Sequence, residues 1–538
     1  MSLPVEDRDL VALLPPVLQA AGIEPSLAGA IVRGESGLPD VRSLALVAVD
    51  PPAIQQLLLA SRCGVTRKGA SDRLSQWDRE LLEWNHRFAS IGVAVPLYVG
   101  GGQGVLLTTA PLGAKVATEL QAVFRSELHG ELGVAVLEVS PKTLAEGPDA
   151  PPSDTHDALA RLGLRSSSRG FGALLSTLMG RLRAEKDAAK AGTTVDGRRC
   201  SECGKRPGVK GAPDGRTKVC SPCHVFRKHG GAEELVTFSE LGQGRVVAYL
   251  YVDGSGIGAK LARLRTLQEY DRFSAALRRA FDYESVVIPA MQVAGYERIL
   301  PILRGGDDLL LVVAGRDRGS QGAFAATVAL VEAIERALDD NGYPEVGVGA
   351  GLVVTSELQA RQGFELAYKL IKSAKTRARR EGERSAIDFE VVLGGTVLSA
   401  KLTGMRRDRE AIARNLPKPW PAEGTFRLYR RPLLLDEARA LLQTSQDLDG
   451  EGRSLLYRLE EELAHDMLAG LSATMFGLAR RNDDLGLRLT GHAKPPLPGP
   501  AVELGHLFQP FDDGTATGWC TAIPDLLDLE RIMRVHAE

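Results

Sequence analysis

The sequence predicts an α+β protein in which two ferredoxin-like βαββαβ domains flank a cysteine-rich segment and precede a C-terminal helical bundle. Three observations predict this architecture. The order of strand and helix patterns that begins near residue 41 returns near residue 241, and two CxxC pairs lie between the two copies. Beyond residue 427, apolar residues recur at three- and four-residue spacing, which is typical of helices packed on a core.

These signals divide the chain into five segments. Its 538 residues exceed what a single hydrophobic core usually organises. The predicted segments are an N-terminal helical segment (1–40), a first βαββαβ domain (41–192), a zinc-binding segment (193–240), a second βαββαβ domain (241–400) and a helical C-terminal domain (401–538).

Composition and charge are those of a soluble globular protein. The formal net charge is only -2, so any binding of nucleic acid depends on local basic clusters rather than on the field of the whole molecule. The N-terminus lacks the basic and apolar regions of a signal peptide, and no apolar run is long enough to span a bilayer. We therefore expect a cytoplasmic protein that has no membrane partner.

The first domain begins with a predicted strand that ends on an acid, Asp50, followed by a stretch of helical periodicity from 53 to about 89. A glycine-rich hairpin, VAVPLYVGGGQGVLLTTA, follows and contains no acids. A helix (113–128) and a strand (132–139) complete the pattern before a linker rich in Pro and Asp.

The second domain repeats this order. A strand ends on Asp253, a helical stretch covers 259–281, and the hairpin ILPILRGGDDLLLVVA precedes a helix (323–338) and a strand (346–355). Asp50 precedes Gln103 by 53 residues and Asp253 precedes Asp307 by 54, so we align Gln103 and Gly104 with the acidic pair. This alignment predicts a duplication in which only the second copy holds acids at both places.

The acids of the second copy predict a divalent-metal site. Gly305 and Gly306 permit a tight turn whose backbone nucleotide can approach. This turn brings Asp307 and Asp308 to the edge of the sheet where Asp253 ends its strand. Oxygen ligands suit Mg²⁺ or Mn²⁺, and two such ions support in-line displacement at phosphorus. For an isolated GGDD, a solvated hairpin tip is an equally good interpretation.

Two further features favour a triphosphate ligand such as ATP. Gly254, Ser255 and Gly256 lead into a helix, whose N-terminal amides can bind phosphate. Lys375 lies on a basic helical run and is a candidate phosphate contact. A turn or packing role for the glycines, and a solvated position for the lysine, remain the alternatives.

The cysteine-rich segment predicts a structural zinc site. Its ligands would be Cys200, Cys203, Cys220 and Cys223, which form two CxxC pairs separated by sixteen residues. Four thiolates fill the tetrahedral shell of Zn²⁺ and leave no position for a reacting water. A reduced loop without metal is the alternative, and His224 is expected to be a bystander.

As a set, these motifs resemble the large palm-polymerase subunit of type III CRISPR effector complexes. The resemblance covers about residues 41–538 and includes the strand ending in Asp253, the GGDD hairpin, the later AYKLIKSAKTRARREG with Lys375, and the order of palm, Cys₄ segment, palm and helical tail. It implies a nucleotidyltransferase that converts ATP to cyclic oligoadenylates in antiviral defence, with Asp253, Asp307 and Asp308 as its metal-binding acids. It also implies other subunits of the ribonucleoprotein complex, guide RNA and target RNA as partners.

Several departures from that family and two alternatives qualify the resemblance. Arg304 stands where an aromatic residue is expected, and neither His156-Asp157 nor His465-Asp466 fits the HD nuclease of many family members, so we expect no DNase activity. A stand-alone GGDEF-like nucleotide cyclase and a catalytically silent scaffold subunit of an RNA-binding complex remain open. Basic clusters at 375–384, 406–414 and 427–431 are expected to be mostly solvated surface.

Overall fold

The fold is described from a computed structural model. His156-Asp157 and His465-Asp466 lie outside the residues that the structure describes. The described residues are 9–51, 64–128, 130–148, 170–190, 199–204, 206–211, 218–230, 247–294, 296, 298–314, 322–355, 360–382, 384–392, 406, 410–414, 423–446, 454, 456–461, 508–512 and 517–534.

The N-terminal segment consists of short helices that pack apolar residues into the core shared by both halves of the chain. The side chain of Asp9 accepts a hydrogen bond from the backbone of Val11 and caps the first helix, while Gly34 ends the third with a φ of 73°. The helices are α1 (Leu10–Leu13), α2 (Pro15–Ala20) and α3 (Ala28–Arg33), with a 3₁₀ turn at Pro25–Leu27.

The first sheet has four antiparallel strands in the order β2-β3-β1-β4. Strand β1 is buried along most of its length, and its alternate residues belong to two hydrophobic clusters, with Leu44, Leu46 and Ala48 in one and Val47 and Val49 in the other. Its register with β4 pairs Asp50 with Gly133. The strands are β1 (Leu44–Asp50), β2 (Ala94–Gly100), β3 (Gln103–Thr109) and β4 (Gly133–Val139).

Helices connect these strands in the predicted order of strand, helix, two strands, helix and strand. In the first long helix, Trp77 packs edge-on against Phe124 of a neighbouring helix, with 5.2 Å between ring centroids. The helices of this unit are α4 (Gly64–Leu82), α5 (Trp84–Arg87), α6 (Ala110–Glu127), α7 (Pro141–Glu146) and α8 (Phe171–Lys190).

The cysteine-rich segment forms a small unit that packs on helix α4. Its hairpin is β5 (Lys210–Gly211) with β6 (Lys218–Val219), and helix α9 (Ser221–Gly230) follows. Phe226 is buried in the core that α4 helps to build. The side chain of Thr66 on α4 donates a hydrogen bond of 2.7 Å to Glu202, which joins the segment to the first unit.

The second sheet repeats the first and extends it. Strands run in the order β11-β10-β7-β9-β8, antiparallel except for the parallel pair β10 and β11. Strand β10 is buried along its whole length, which fits a central strand covered on both faces. The strands are β7 (Val247–Ser255), β8 (Arg298–Gly305), β9 (Asp308–Ala314), β10 (Gly347–Thr355) and β11 (Ala386–Val392).

Two long helices, α13 and α14, follow β9 and β10, and three shorter helices connect β7 to β8. Thr266 caps α11 by accepting from the backbone of Glu269. The helices are α10 (Ile257–Leu261), α11 (Leu267–Ala280), α12 (Ile288–Val293), α13 (Gly322–Asp340) and α14 (Ala360–Glu381), with a π-helical turn at Tyr283–Val287. No helix in the described ranges is long and apolar enough to cross a membrane.

The C-terminal part contains a sheet in addition to the predicted helices. The four strands of this sheet lie in the order β12-β13-β16-β15, and β14 pairs with β11 at the edge of the second sheet. The strands of this four-stranded sheet are short and polar, so the sequence pattern did not reveal them. The elements are β12 (Glu410–Arg414), β13 (Glu423–Arg427), β14 (Leu433–Leu434), α15 (Leu435–Gln446), β15 (Phe508–Asp512), β16 (Thr517–Thr521) and α16 (Ile523–Arg534).

A buried ionic cluster joins this C-terminal part to the second sheet. The guanidinium of Arg431 is completely buried and bonds to Asp525 at 2.6 Å, to Asp528, and to Glu390 of β11 at 3.2 Å. Arg406 bonds to Glu390 and to Asp388, each at 2.6 Å. The surrounding carboxylates outweigh desolvation and hold the pKa of Arg431 well above its usual range. These arginines are therefore internal, and the expectation of solvated surface is wrong for Arg406, Arg430 and Arg431.

Replacing Arg431 with Met should lower the stability of the C-terminal part severely. The change leaves buried carboxylates without their cation, and breaking a buried pair in this way costs about 3–5 kcal/mol. Arg439→Met is the matched control, because Arg439 forms exposed ion pairs with Glu332 and Asp436 that are worth about 0–1 kcal/mol. Thermal unfolding monitored by circular dichroism measures both, and equal midpoints for the two variants would contradict the assignment.

Candidate functional site

The acids predicted to bind metal come together where β7 meets the β8–β9 hairpin. Asp253 lies near the end of β7, and its backbone pairs in register with Asp308, the first residue of β9. Asp307 occupies the turn between β8 and β9, and its carbonyl accepts a hydrogen bond of 3.2 Å from the backbone of Gly254. Gly306 in the same turn has a φ of 62°, a conformation that favours glycine.

Lys375 reaches this edge from helix α14. Its ammonium donates to the carboxylate of Asp253 and to the carbonyl of Gly254, the latter at 2.6 Å. Gly349 pairs with Asp253 from the other side, on β10. A Cβ at position 349 would lie 2.5 Å from Cγ of Lys375, so the missing side chain provides the space through which the lysine passes. Lys375 is therefore a half-buried partner of Asp253 rather than a solvated residue.

Asp307 lies in an environment that opposes its charge. Burial and the nearby carboxylate of Asp253 raise its pKa to about 7, although Lys375 acts in the opposite direction. Asp308 turns towards Tyr251 instead, whose hydroxyl donates to it at 3.3 Å. In the described part of the chain, the carboxylate oxygens of Asp253, Asp307 and Asp308 do not all lie within 4.8 Å of one another. Their donor chemistry and shared edge suit a hard divalent cation.

The predicted phosphate loop has a mixed structure. Gly254 and Ser255 belong to β7, and Ser255 is buried. A Cβ at Gly254 would lie 2.3 Å from Cδ1 of Ile257 and 3.2 Å from Cβ of Asp307, so a side chain there would have to displace the end of Ile257. Gly256 has a φ of 82° and precedes helix α10, and a Cβ there would meet no atom within 4 Å. The backbone at Gly256 is thus open to a ligand, whereas Gly254 and Ser255 are covered.

The first unit keeps part of this arrangement. Lys186 of α8 forms an ion pair with Asp50, and Gly133, which pairs with Asp50, leaves room for the stem of Lys186 as Gly349 does for Lys375. The trio of aspartate, lysine and glycine therefore occurs in both units. The sequence patterns did not reveal it, because helix α8 follows the last strand of the predicted βαββαβ pattern within the first domain.

The register corrects the alignment of the two hairpins by one position. The turn residues are Gly101 and Gly102 in the first unit, between paired Gly100 and Gln103. In the second they are Gly306 and Asp307, between paired Gly305 and Asp308. Gly102 and Gln103, rather than Gln103 and Gly104, correspond to the two acids. The conclusion that the first hairpin lacks both acids is unchanged.

The two hairpin tips face each other. A Cβ at Gly305 would lie 2.6 Å from Cα of Gly101, and one at Gly306 would lie 2.9 Å from the hydroxyl of Tyr98. Asp78 of helix α4 accepts a hydrogen bond of 2.9 Å from the backbone of Gly102. Tyr98 and Asp78 could not be identified from sequence motifs. Neither belongs to a motif, and both reach the site only through the packing of the two units. Arg304, which precedes the GGDD turn, lies in β8, and its guanidinium lies 4.9 Å from the ring centroid of Tyr283.

The four cysteines form the predicted cluster. All are buried, and their sulfur atoms lie within 4.8 Å of one another, with 3.8 Å between those of Cys203 and Cys220. Tetrahedral Zn–S bonds of about 2.3 Å place sulfurs about 3.8 Å apart, so the cluster fits zinc. His224 is not a member of the cluster. Its backbone amide donates a hydrogen bond of 3.0 Å to the carbonyl of Cys220.

The arrangement defines a protein of two related α+β units whose glycine turns meet, with acids on one of them. Solved structures with this fold contain Csm1. No family model matches the sequence, and no curated protein matches it. The Csm1-Csm4 cassette in complex with cA4 superposes with a TM-score of 0.53 at 13% identity, covering 97% of this chain and 72% of that one.

Two further structures agree with this match. The Csm1-Csm4 cassette with pppApA gives a TM-score of 0.52 at 13% identity, over 97% of this chain and 72% of that chain. The cassette with AMPPNP gives 0.51 at 14% identity, over 96% and 73%. The chain therefore has the fold of Csm1, a subunit of type III CRISPR complexes, and the resemblance predicted from the sequence is confirmed at this level.

Gly349→Ala should displace Lys375 from Asp253 and destabilise the second unit. A contact of 2.5 Å with the middle of the lysine stem forces a shift, and overpacking of this kind costs about 1–3 kcal/mol. Gly258→Ala is the control, because a Cβ there meets nothing within 4 Å and a surface change is usually within about 0.5 kcal/mol. Thermal unfolding compares the two variants. An unchanged midpoint in Gly349→Ala would show that the space beside Gly349 is not needed to place Lys375.

The purified chain should carry about one zinc ion, because closed thiolate sites bind tightly and fold their own loop. Cys203→Ser should lower zinc content and thermal stability together. Cys520→Ser provides the control, since Cys520 is buried in β16, away from the cluster. Metal content is measured by atomic emission, and normal zinc in Cys203→Ser would remove this site.

Proposed function

We propose that this chain is the large subunit of a type III CRISPR effector complex and a nucleotidyltransferase that converts ATP to cyclic oligoadenylates when the complex binds target RNA. The observation that carries the proposal is the meeting of Asp253, Asp307 and Asp308 at one sheet edge in a chain with the fold of Csm1. In this proposal the two units are ferredoxin-like palms with the boundaries 41–192 and 241–400, and only the second is catalytic.

The residues of the second palm have distinct roles in this proposal. Asp253, Asp307 and Asp308 would hold two Mg²⁺ or Mn²⁺ ions, which when bound would lower the barrier to attack of a 3′-hydroxyl on the α-phosphorus of ATP and to the departure of pyrophosphate. Lys375 neutralises triphosphate charge, and its present bonds to Asp253 and Gly254 keep it at the edge where that charge would lie. The exposed backbone of Gly256 is available to the ligand, and Gly305 and Gly306 let nucleotide approach the backbone of the hairpin.

The aspartate and lysine pair does not by itself indicate catalysis. Asp50 and Lys186 form the same pair in the palm whose turn has no acids. What distinguishes the second palm is therefore Asp307 and Asp308. The first palm then contributes an interface or a second ATP pocket.

A partner subunit is supported by the solved structures with this fold, which contain Csm1 together with Csm4. We propose that a subunit of that kind, other members of the ribonucleoprotein, guide RNA and target RNA assemble with this chain in the cytoplasm. The Cys₄ cluster serves as a closed structural zinc site.

The double variant Asp307→Ala/Asp308→Ala tests the catalytic assignment. Loss of metal stabilisation worth several kcal/mol should reduce product at least about 1000-fold, since each 1.36 kcal/mol is tenfold in rate. The assay incubates the assembled complex with guide RNA, target RNA, ATP and Mg²⁺ or Mn²⁺, and identifies products by mass spectrometry. Gln103→Ala is the matched control, because it changes the equivalent position of the acid-free hairpin and should stay within a few-fold of the wild type.

The outcomes separate the three functions under consideration. Undiminished product from the folded double variant would refute the active site. Product formed without RNA, or from GTP, would favour a stand-alone cyclase of the GGDEF type. Retained RNA binding without any product from the wild type would favour a scaffold subunit.

A further inference from the structure

Asp78 is outside the motifs and contacts the hairpin that faces the acidic turn. It lies near the end of helix α4, and its carboxylate accepts hydrogen bonds from the backbone amides of Gly102, at 2.9 Å, and of Gly101. These two residues form the turn of the first hairpin, each with a positive φ. The carboxylate therefore fixes both amides of a turn that is built from glycine alone.

The turn of the first hairpin also limits where the GGDD turn can lie. A Cβ at Gly305 would lie 2.6 Å from Cα and 2.7 Å from the backbone nitrogen of Gly101. From the other side, a Cβ at Gly100 would lie 3.1 Å from Cα of Gly306. No side chain separates the two backbones, so a shift of the first turn is transmitted directly to the second.

Helix α4 is anchored at its other end. Thr66 in its first turn donates to Glu202 of the zinc-binding segment at 2.7 Å, and Arg227 of α9 bonds to the same carboxylate at 2.9 Å. A carboxylate held in a half-buried position is costly unless it is hydrogen-bonded. Burial raises the pKa of Asp78 to about 7, while the hydrogen bonds from the two amides act in the opposite direction. Burial raises the pKa of Tyr98 well above its usual range, and the nearby charges of Asp307 and Asp78 raise it further.

We propose that Asp78 is a positioning residue for the GGDD turn, acting through the backbone of Gly101 and Gly102 and carried on a helix that the zinc-binding segment anchors. The role of this residue in turnover rests on the proposed function, whereas its effect on the turn does not. The hydrogen bonds of Asp78 go to the first turn and not to the acids, so its removal should loosen the turn while the chain remains folded.

Hydrogen exchange of the full chain tests the effect on the turn. In Asp78→Ala, amides in the peptide 299–314 should exchange about tenfold faster, together with those in 96–105. Asp78→Asn should be intermediate, because its amide oxygen still accepts a hydrogen bond but its amide nitrogen cannot. Asp72→Ala is the matched control, since Asp72 is on the same helix and pairs with Lys68 instead. Asp72→Ala should leave the exchange rates of both peptides unchanged.

Turnover by the assembled complex provides a second measurement. If the turn acts mainly in the transition state, Asp78→Ala should lower kcat about tenfold and change the KM for ATP less than twofold, with Asp78→Asn again intermediate. Faster exchange restricted to 96–105, or spread equally to the distant helix 435–446, would overturn the proposal. A wild-type complex that forms no product would refute the proposed function, and the exchange result would still decide whether Asp78 positions the turn.

Discussion

The arrangement of the candidate site depends on the contact between two glycine turns. Gly100 and Gly101 meet Gly305 and Gly306 so closely that a Cβ at Gly305 would lie 2.6 Å from Cα of Gly101, and a Cβ at Gly100 would lie 3.1 Å from Cα of Gly306. The acids next to this contact consequently lie at an internal seam between the two units. This position differs from the free sheet edge expected for a hairpin tip, and it explains why burial dominates the environment of Asp307.

The sequence predicted those features that local signals define. A strand that ends on Asp253, a glycine turn followed by acids, and two CxxC pairs are each visible within a few residues, and the structure contains all of them. Counting along the chain placed the two hairpins one position out of register. The connection before the second hairpin is two residues longer, from Asp253 to Gly305 as against Asp50 to Gly100, and a count cannot show where the extra residues lie.

Features that depend on packing between distant segments could not be predicted in this way. The path of Lys375 past Gly349 requires the distance between α14 and β10, and the role of Asp78 requires the contact between the units. The arginines near residue 430 belong to the same class. A run of basic residues usually faces water, and only the fold shows that carboxylates nearly a hundred residues later enclose Arg431.

The separation of those partners has a consequence for synthesis of the chain on the ribosome. Arg431 bonds to residues 94 and 97 positions further along, and at about 5–20 residues per second these acids emerge roughly 5–20 seconds after it. Until then Arg431 lacks two of its three carboxylate partners, and burying it beside β11 is unfavourable. Helix α16 therefore closes the second unit late, and synthesis of the segment that contains Asp525 and Asp528, rather than formation of the sheet, determines when this side of β11 is shielded from water.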